Sequence, residues 1–293
     1  MNRILVMGGD KRFIYLSRIL KEKGCSVRCF CTGTDEGICD MNLFEKEVKE
    51  ADVIILPIPY TKDGITVNTP LSDECLYLSK IYENVKSDAL IFAGVVGDKY
   101  SPPENLNFYD YAQRDDFAYM NAVPTAEGAI EAVMKHMSGT ISGANALVTG
   151  FGKCAKVLAL TLKSLGANVT VCARSLSDIA FAKAIGMKSE KISKMKKVIG
   201  AADVIFNTVP HMIFGDDELK CIKAGCPLAD IASAPGGANR DDAKKRGVNY
   251  LFLPGLPGKY SPLTGAKIIA ETIENISEEV GKEWKLWNLS EKG

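Results

Sequence analysis

Six residues in the middle of the chain, Gly150-Phe151-Gly152-Lys153-Cys154-Ala155, restrict its fold more than any others. They follow an apolar run, Ala146-Leu147-Val148-Thr149, that reads as a buried strand. A helical stretch from Lys153 to Leu165 comes next, stops at Gly166, and gives way to a second strand, Val169-Thr170-Val171-Cys172. Strand, G-x-G-x-x-A turn, helix and strand in this order form a dinucleotide-binding unit. Gly150 permits the tight turn, Gly152 lets the backbone approach a pyrophosphate, and Ala155 keeps the helix close to the strand. The helix N-terminus then offers free N–H groups and the positive end of its dipole to phosphates.

Which dinucleotide fits is read at the end of the second strand. An NAD site places Asp or Glu there, about 20 residues past the glycines, to accept from the ribose 2′-hydroxyl. This chain has Arg174-Ser175-Leu176-Ser177 instead. A guanidinium beside hydroxyls suits a 2′-phosphate, because arginine donates bidentately to phosphate oxygens. The expected cofactor is NADP, with NAD as the alternative if Arg174 is only a solvated strand end. Asn207-Thr208-Val209-Pro210, after the apolar Val204-Ile205-Phe206, is the loop expected to run beside it.

The chain also repeats itself. Gly8 to Val27 matches Gly150 to Val169 at a constant offset, with Gly24 falling on Gly166. Ala51-Asp52-Val53-Ile54-Ile55-Leu56-Pro57 resembles Ala202-Asp203-Val204-Ile205-Phe206-Asn207-Thr208, and Lys99-Tyr100-Ser101-Pro102 recurs as Lys259-Tyr260-Ser261-Pro262. Strands alternating with helices at this spacing imply parallel sheets covered on both faces. The predicted fold is therefore α/β, with two tandem doubly wound, Rossmann-like domains and a cleft between them. The expected boundaries are a substrate domain at 1–120, a connecting helix at 121–139, a nucleotide domain at 140–255, and a loop and helix at 256–293 that pack back on the first domain. The last helix is expected from Leu263 to Trp284. Gly8-Gly9-Asp10-Lys11-Arg12 stands where the first domain would carry a nucleotide fingerprint; without a third glycine, and with charge in the turn, it is expected to hold a small anion.

Composition removes several classes. Charged residues balance at 36 against 36, so nothing points to nucleic acid as a partner. The basic stretch Lys188, Lys191, Lys194, Lys196 and Lys197 reads as a solvated helix face. No apolar run reaches the ~18 residues of a membrane span, and the N-terminus lacks the shape of a signal peptide. Nine cysteines scattered through apolar segments fit free thiols in a reducing cytosol. Cys25, Cys29, Cys31 and Cys39 cluster, but without a C-x-x-C pair or nearby histidine they read as core residues, and no metal is expected.

Candidates for chemistry lie at strand ends. Asp230 closes the strand Pro227-Leu228-Ala229 and either accepts a proton, orients a carboxamide, or organises the Ser233-Ala234-Pro235-Gly236-Gly237 loop. His211 follows the Asn207 loop and is a candidate acid or base, whereas His136 on the connecting helix reads as structural or exposed. Pro254-Gly255-Leu256-Pro257-Gly258-Lys259 is expected to line the cleft with backbone. No Ser-His-Asp order or H-E-x-x-H motif is present, which leaves hydrolase and metalloenzyme readings unsupported.

Together, Gly8-Gly9-Asp10 with Arg12, Pro124-Thr125-Ala126-Glu127-Gly128, the Gly150 turn, Ala173-Arg174 and Asn207-Thr208-Val209-Pro210 resemble one family, the large (A) subunit of dipicolinate synthase from spore-forming bacteria. Asp230-Ile231-Ala232-Ser233-Ala234-Pro235-Gly236-Gly237 and Pro254 to Lys259 continue the likeness in the right order. Lys153 stands where an arginine is common, so a cation is kept. The resemblance implies an NAD(P)+-dependent oxidation of the dihydrodipicolinate synthase product to pyridine-2,6-dicarboxylate. It also implies a partner, the small flavoprotein-like (B) subunit, with a homo-oligomer as a possible state, and action in the mother-cell cytoplasm during sporulation. Such a dicarboxylate needs cationic holders: Arg12 first, then Lys11 and Arg114, with Ser233 and Lys259 also in reach of a substrate. The general base is open among Asp10, Asp230, His211 and Glu127. Rival readings are an alanine- or 2-hydroxyacid-dehydrogenase-like enzyme acting on another small carboxylate, and an NADP-binding sensor or scaffold.

Overall fold

The computed structural model describes residues 3–33, 40–96 and 100–281. Cys39, Lys99 and the end of the last predicted helix at Trp284 lie outside the described residues. Two compact units emerge: one formed by residues up to Ala118 and again from Ser261, the other by Tyr119–Tyr260.

In chain order, the first unit holds β1 (Arg3–Met7), α1 (Lys11–Glu22), β2 (Ser26–Phe30), α2 (Phe44–Glu50), β3 (Val53–Ile55), α3 (Leu78–Asn84), β4 (Leu90–Ala93) and β5 (Asn107–Asp110). The helix α4 (Asp115–Met134) leads into the second unit. There follow β6 (Asn145–Thr149), α5 (Lys153–Ser164), β7 (Asn168–Ala173), α6 (Leu176–Ala184), β8 (Lys188–Lys191), α7 (Lys196–Ile199) and β9 (Val204–Asn207). The unit closes with α8 (Asp216–Cys221), β10 (Pro227–Asp230), α9 (Arg240–Lys245), β11 (Asn249–Phe252) and α10 (Leu256–Tyr260), after which α11 (Pro262–Glu279) belongs to the first unit.

The first unit's sheet is parallel throughout, in the order β2-β1-β3-β4-β5. Its central strands are apolar without alternation because helices cover both faces, and Ile4, Leu5, Val6 and Met7 are all buried. On one face α1 presents Phe13, Leu16 and Leu20, and α11 adds Ile268, Ile269, Ile273 and Ile276 to the same core. Each such side chain contributes about 1.5–3 kcal/mol by leaving water, so α11 is an integral layer of this unit.

The second unit's sheet is also all parallel, in the order β8-β7-β6-β9-β10-β11. That is the order of a dinucleotide-binding fold, with the topological switch between β6 and β9, where a crevice opens beyond the carboxyl ends. Both sheets are thus doubly wound and Rossmann-like.

Three local expectations change. The basic stretch is not one helix face: Lys188 and Lys191 lie on the edge strand β8, where lysines discourage edge-to-edge pairing. The predicted connecting helix begins earlier, at Asp115, and carries Pro124 inside it, so His136 falls beyond its end and is exposed. The Pro254–Lys259 segment folds largely into α10, whose Leu256, Pro257 and Gly258 are buried. A Cβ on Gly128 of α4 would stand 3.1 Å from the Tyr260 ring and 3.3 Å from Leu256, so both glycine-bearing motifs serve close helix packing.

Candidate functional site

The two glycine turns, alike in sequence, differ in what caps the helix behind them. In the first unit Asp10 caps α1, accepting from the Arg12 backbone N–H at 3.0 Å. The same carboxylate accepts from Arg12 Nε at 2.9 Å and from its terminal nitrogen at 2.9 Å. Gly8 N–H donates to Phe30 and Gly9 N–H to the Asn68 carbonyl, which a Cβ on Gly8 would meet at 2.7 Å. This turn carries its own anion and is covered by the Asn68 backbone. The expectation of a small-anion cradle there is corrected, because the Asp10 carboxylate already occupies the helix end.

In the second unit the helix end is open. Gly150 has φ +88°, and a Cβ there would meet Thr208 Oγ1 at 2.4 Å, so only glycine fits. Gly152 caps α5 with no side-chain hydrogen bond, and a Cβ on it would meet nothing within 4 Å. The N-terminal N–H groups of α5 therefore face space, the arrangement in which a helix end receives phosphate.

That space is a cavity of about 630 Å³. Gly150, Phe151, Gly152, Lys153, Cys154 and Ala155 line one side, Arg174 and Ser175 another, and Thr208, Val209, Pro210 and His211 a third. Its size falls within the usual span of small-molecule sites. Arg174 is exposed, and Ser175 caps α6 by accepting from the N–H groups of Ser177 and Asp178. Burial pushes the Cys154 thiol up to about 11, so it stays protonated at neutral pH and acts as cavity wall rather than nucleophile. The residues present fit a dinucleotide: an open glycine turn, an uncapped helix end, and a cation at the end of the second strand.

Behind this wall lies a buried polar rail. Thr149, Asn207 and Asp230 stand abreast at the carboxyl ends of β6, β9 and β10, and all three are fully buried. Thr149 Oγ1 donates to Asn207 Oδ1 at 2.7 Å, and Asn207 Nδ2 donates to Asp230 Oδ1 at 2.9 Å. Asp230 also accepts from the N–H groups of Ala232 and Gly237 and from the Tyr250 hydroxyl, at 3.1, 2.6 and 2.6 Å. Burial first, and then the Asp230 carboxylate, raise the Tyr250 hydroxyl above its usual value, which keeps it a donor. Gly237 is required here, since a Cβ would meet Asn207 Nδ2 at 2.3 Å.

Several sequence candidates are thereby re-placed. Asn207 does not line the cavity; its amide faces inward and clamps Val209, accepting from its N–H and donating to its carbonyl, both at 3.0 Å. Asp230, with four donors on two buried oxygens, organises loops and is not placed to take a substrate proton. Asp10 is engaged by Arg12, and Arg12, only 5% exposed, is not a free carboxylate holder. Arg114 is likewise committed, pairing with Asp116 at 2.9 Å and with Glu279 of α11 at 2.6 Å. Lys11 and Glu127 are exposed on α1 and α4, Ser233 on the loop after β10, and Lys259 on α10. The cavity lining includes none of these five substrate candidates, nor Glu127. His211 is exposed and does line it.

Three lining residues escaped the sequence reading: Asp178, Ile192 and Ile213. Ser175-x-x-Asp178 has the spacing of a helix-capping pair, so Asp178 was findable next to Arg174. The isoleucines carried no such signal. Among the described residues no helix is long and apolar enough to cross a membrane.

Comparison with known proteins agrees with this architecture. Residues 3–101 match the family described as the N-terminal domain of the dipicolinate synthase large (A) subunit. The corresponding dipicolinate synthase large (A) subunit of Bacillus subtilis is 30% identical over 291 residues, spanning 96% of this chain and 97% of that protein. Crystal structures of this dipicolinate synthase component from Bacillus halodurans and Bacillus subtilis superpose with TM-scores of 0.82 and 0.83, each at 30% identity. The first covers 94% of this chain and 97% of the other, and the second 96% and 97%. Two parallel sheets, an open glycine turn and relatives matched along nearly the whole length agree: the chain belongs to the family of dipicolinate synthase large (A) subunits.

Proposed function

We propose that this protein is an oxidoreductase that uses NADP+, with NAD+ as the weaker cofactor, to oxidise a dihydrodipicolinate-level heterocycle to pyridine-2,6-dicarboxylate. One observation carries the cofactor half of this reading: the open glycine turn and Arg174 lie on one cavity. The family supplies the substrate class, since the relatives are named dipicolinate synthases.

In this reading the N–H groups of α5 and the backbone of Gly152 hold the pyrophosphate. Arg174 holds the 2′-phosphate as a bidentate donor, with Ser175 beside it. Bound NADP+ supplies the hydride acceptor. Loss of a hydride and a proton from the dihydro ring gives an aromatic product, so the protein's work is alignment and one proton acceptor. His211 is the acceptor we favour, because of the four candidates it alone lines the cavity. The relatives are named as one component of a larger enzyme, and we extend this to the present chain as a complex with a small flavoprotein-like second subunit. Action in the mother-cell cytoplasm is proposed on the same family basis.

The test mixes the protein, with and without that small subunit, with NADP+ and fresh product of dihydrodipicolinate synthase. Equal formation of NADPH and dipicolinate supports the reading, and turnover by this chain alone places the whole active site on it. NADP+ binding with neither product, even with the second subunit present, would favour the sensor or scaffold reading.

A further inference from the structure

The buried rail ends on a residue with no place in the nucleotide cavity. Tyr250 sits on β11, and its half-buried ring lines a different hollow of about 380 Å³ with Met212, Pro235, Arg240 and Phe252. Its hydroxyl nevertheless reaches the cavity wall through an unbroken series of bonds. Tyr250 donates to Asp230 Oδ2, Asp230 Oδ1 accepts from Asn207 Nδ2, and the Asn207 amide clamps the Val209 backbone from both sides. Val209 faces the nucleotide cavity, as do Thr208 before it and Pro210 and His211 after it. Thr208 Oγ1 in turn donates to the Thr149 carbonyl at 2.8 Å, next to Gly150.

We propose that Tyr250 is a positioning residue for nucleotide binding: through Asp230 and Asn207 it sets the backbone of residues 208–211 along the cavity. The Asn207 amide has two rotamers related by a flip. Only the one with Nδ2 toward Asp230 leaves Oδ1 for Thr149 and Val209. Asp230 selects that rotamer, and it does so best when both of its oxygens are fixed. Oδ1 is held by Asn207 and Ala232, and Oδ2 by Gly237 and Tyr250. Removing the Tyr250 hydroxyl leaves the Gly237 N–H as the remaining donor among these to Oδ2, so the carboxylate can rotate and the clamp loosens. Buried polar series of this kind are strong when complete and fragile when one member is lost.

This inference rests on the cavity being a dinucleotide site. The test titrates NADPH into wild type, Tyr250→Phe, Thr149→Val and the double variant, following the fluorescence of the bound dihydronicotinamide and melting each protein alone. Tyr250→Phe keeps the ring and is expected to weaken NADPH binding about three- to tenfold, the scale of one buried hydrogen bond. Thr149→Val removes the other flank of the Asn207 clamp. The two losses should combine less than additively, because either one frees the same amide. Equal NADPH affinity of Tyr250→Phe and wild type would overturn the proposal, as would losses that simply add. Failure of wild type itself to bind NADPH or NADP+ would instead remove the nucleotide reading on which the proposal rests. If Thr149→Val does not fold, Thr149→Ser, which keeps the hydroxyl, takes its place and must leave the Tyr250→Phe effect at full size.

Discussion

Asn207 and Asp230 face each other on neighbouring strands, fully buried, with Asn207 Nδ2 2.9 Å from Asp230 Oδ1. The two side chains together fix two loops, because Asn207 holds Val209 and Asp230 holds the N–H groups of Ala232 and Gly237. The carboxyl ends of β9 and β10 are thus locked before any ligand arrives.

Replacing Asp230 with asparagine turns one acceptor oxygen into a donor among four donors. At least one buried N–H or O–H group loses its partner, and Asp230→Asn is expected to lower stability by about 2–3 kcal/mol. Urea unfolding measures this. A change below about 0.5 kcal/mol, the range of ordinary surface substitutions, would mean that the loops hold without the carboxylate.

Arg174 decides between cofactors in this account. Arg174→Ala should weaken NADP+ binding by about tenfold or more, the value of a lost charge-assisted pair with phosphate, and leave NAD+ nearly unchanged. Parallel titrations with both dinucleotides read this directly. Equal losses for the two would take Arg174 out of the 2′-phosphate subsite.

Arg114 joins the start of α4 to α11 through Asp116 and Glu279. The guanidinium holds the Asp116 carboxyl down to about 2, and it also lowers that of Glu279. Both folded values lie below the unfolded ones, so the contribution is complete above about pH 4.5 and is lost as pH falls toward about 2. Arg114→Gln should melt lower than wild type at neutral pH by a small margin, since the pairs are partly solvated. That margin should close in acid, and a gap that persists at about pH 2 would assign the effect to packing.

The fold was legible because its signals are local. Gly150, Gly152 and Ala155 between two apolar runs suffice for one βαβ unit, and the repeat from Gly8 to Val27 extends it to the other. The roles of Arg12 and Arg114 were not legible in the same way. Arg12 looks like a free cation until the cap geometry of α1 turns it onto Asp10 two residues away. Glu279 lies so far along the chain that its pairing with Arg114 depends on α11 packing in the first unit. Asn207 was found as a loop residue, but its inward direction follows from the register that sets it beside Asp230. Tyr250 carried no signal at all, since its part depends on three strands lying in order.

The most direct measurement is a calorimetric titration of NADP+ into wild type and Gly152→Ala. A Cβ at Gly152 meets nothing within 4 Å in the protein itself, and the residue has φ −72°, so folding and melting should be unchanged. The added methyl stands where a pyrophosphate would approach the backbone. The account predicts that wild type binds NADP+ and that Gly152→Ala binds at least about tenfold more weakly at the same melting temperature, a loss of about 1.4 kcal/mol or more. Equal binding by the two proteins, or none by wild type, would contradict it.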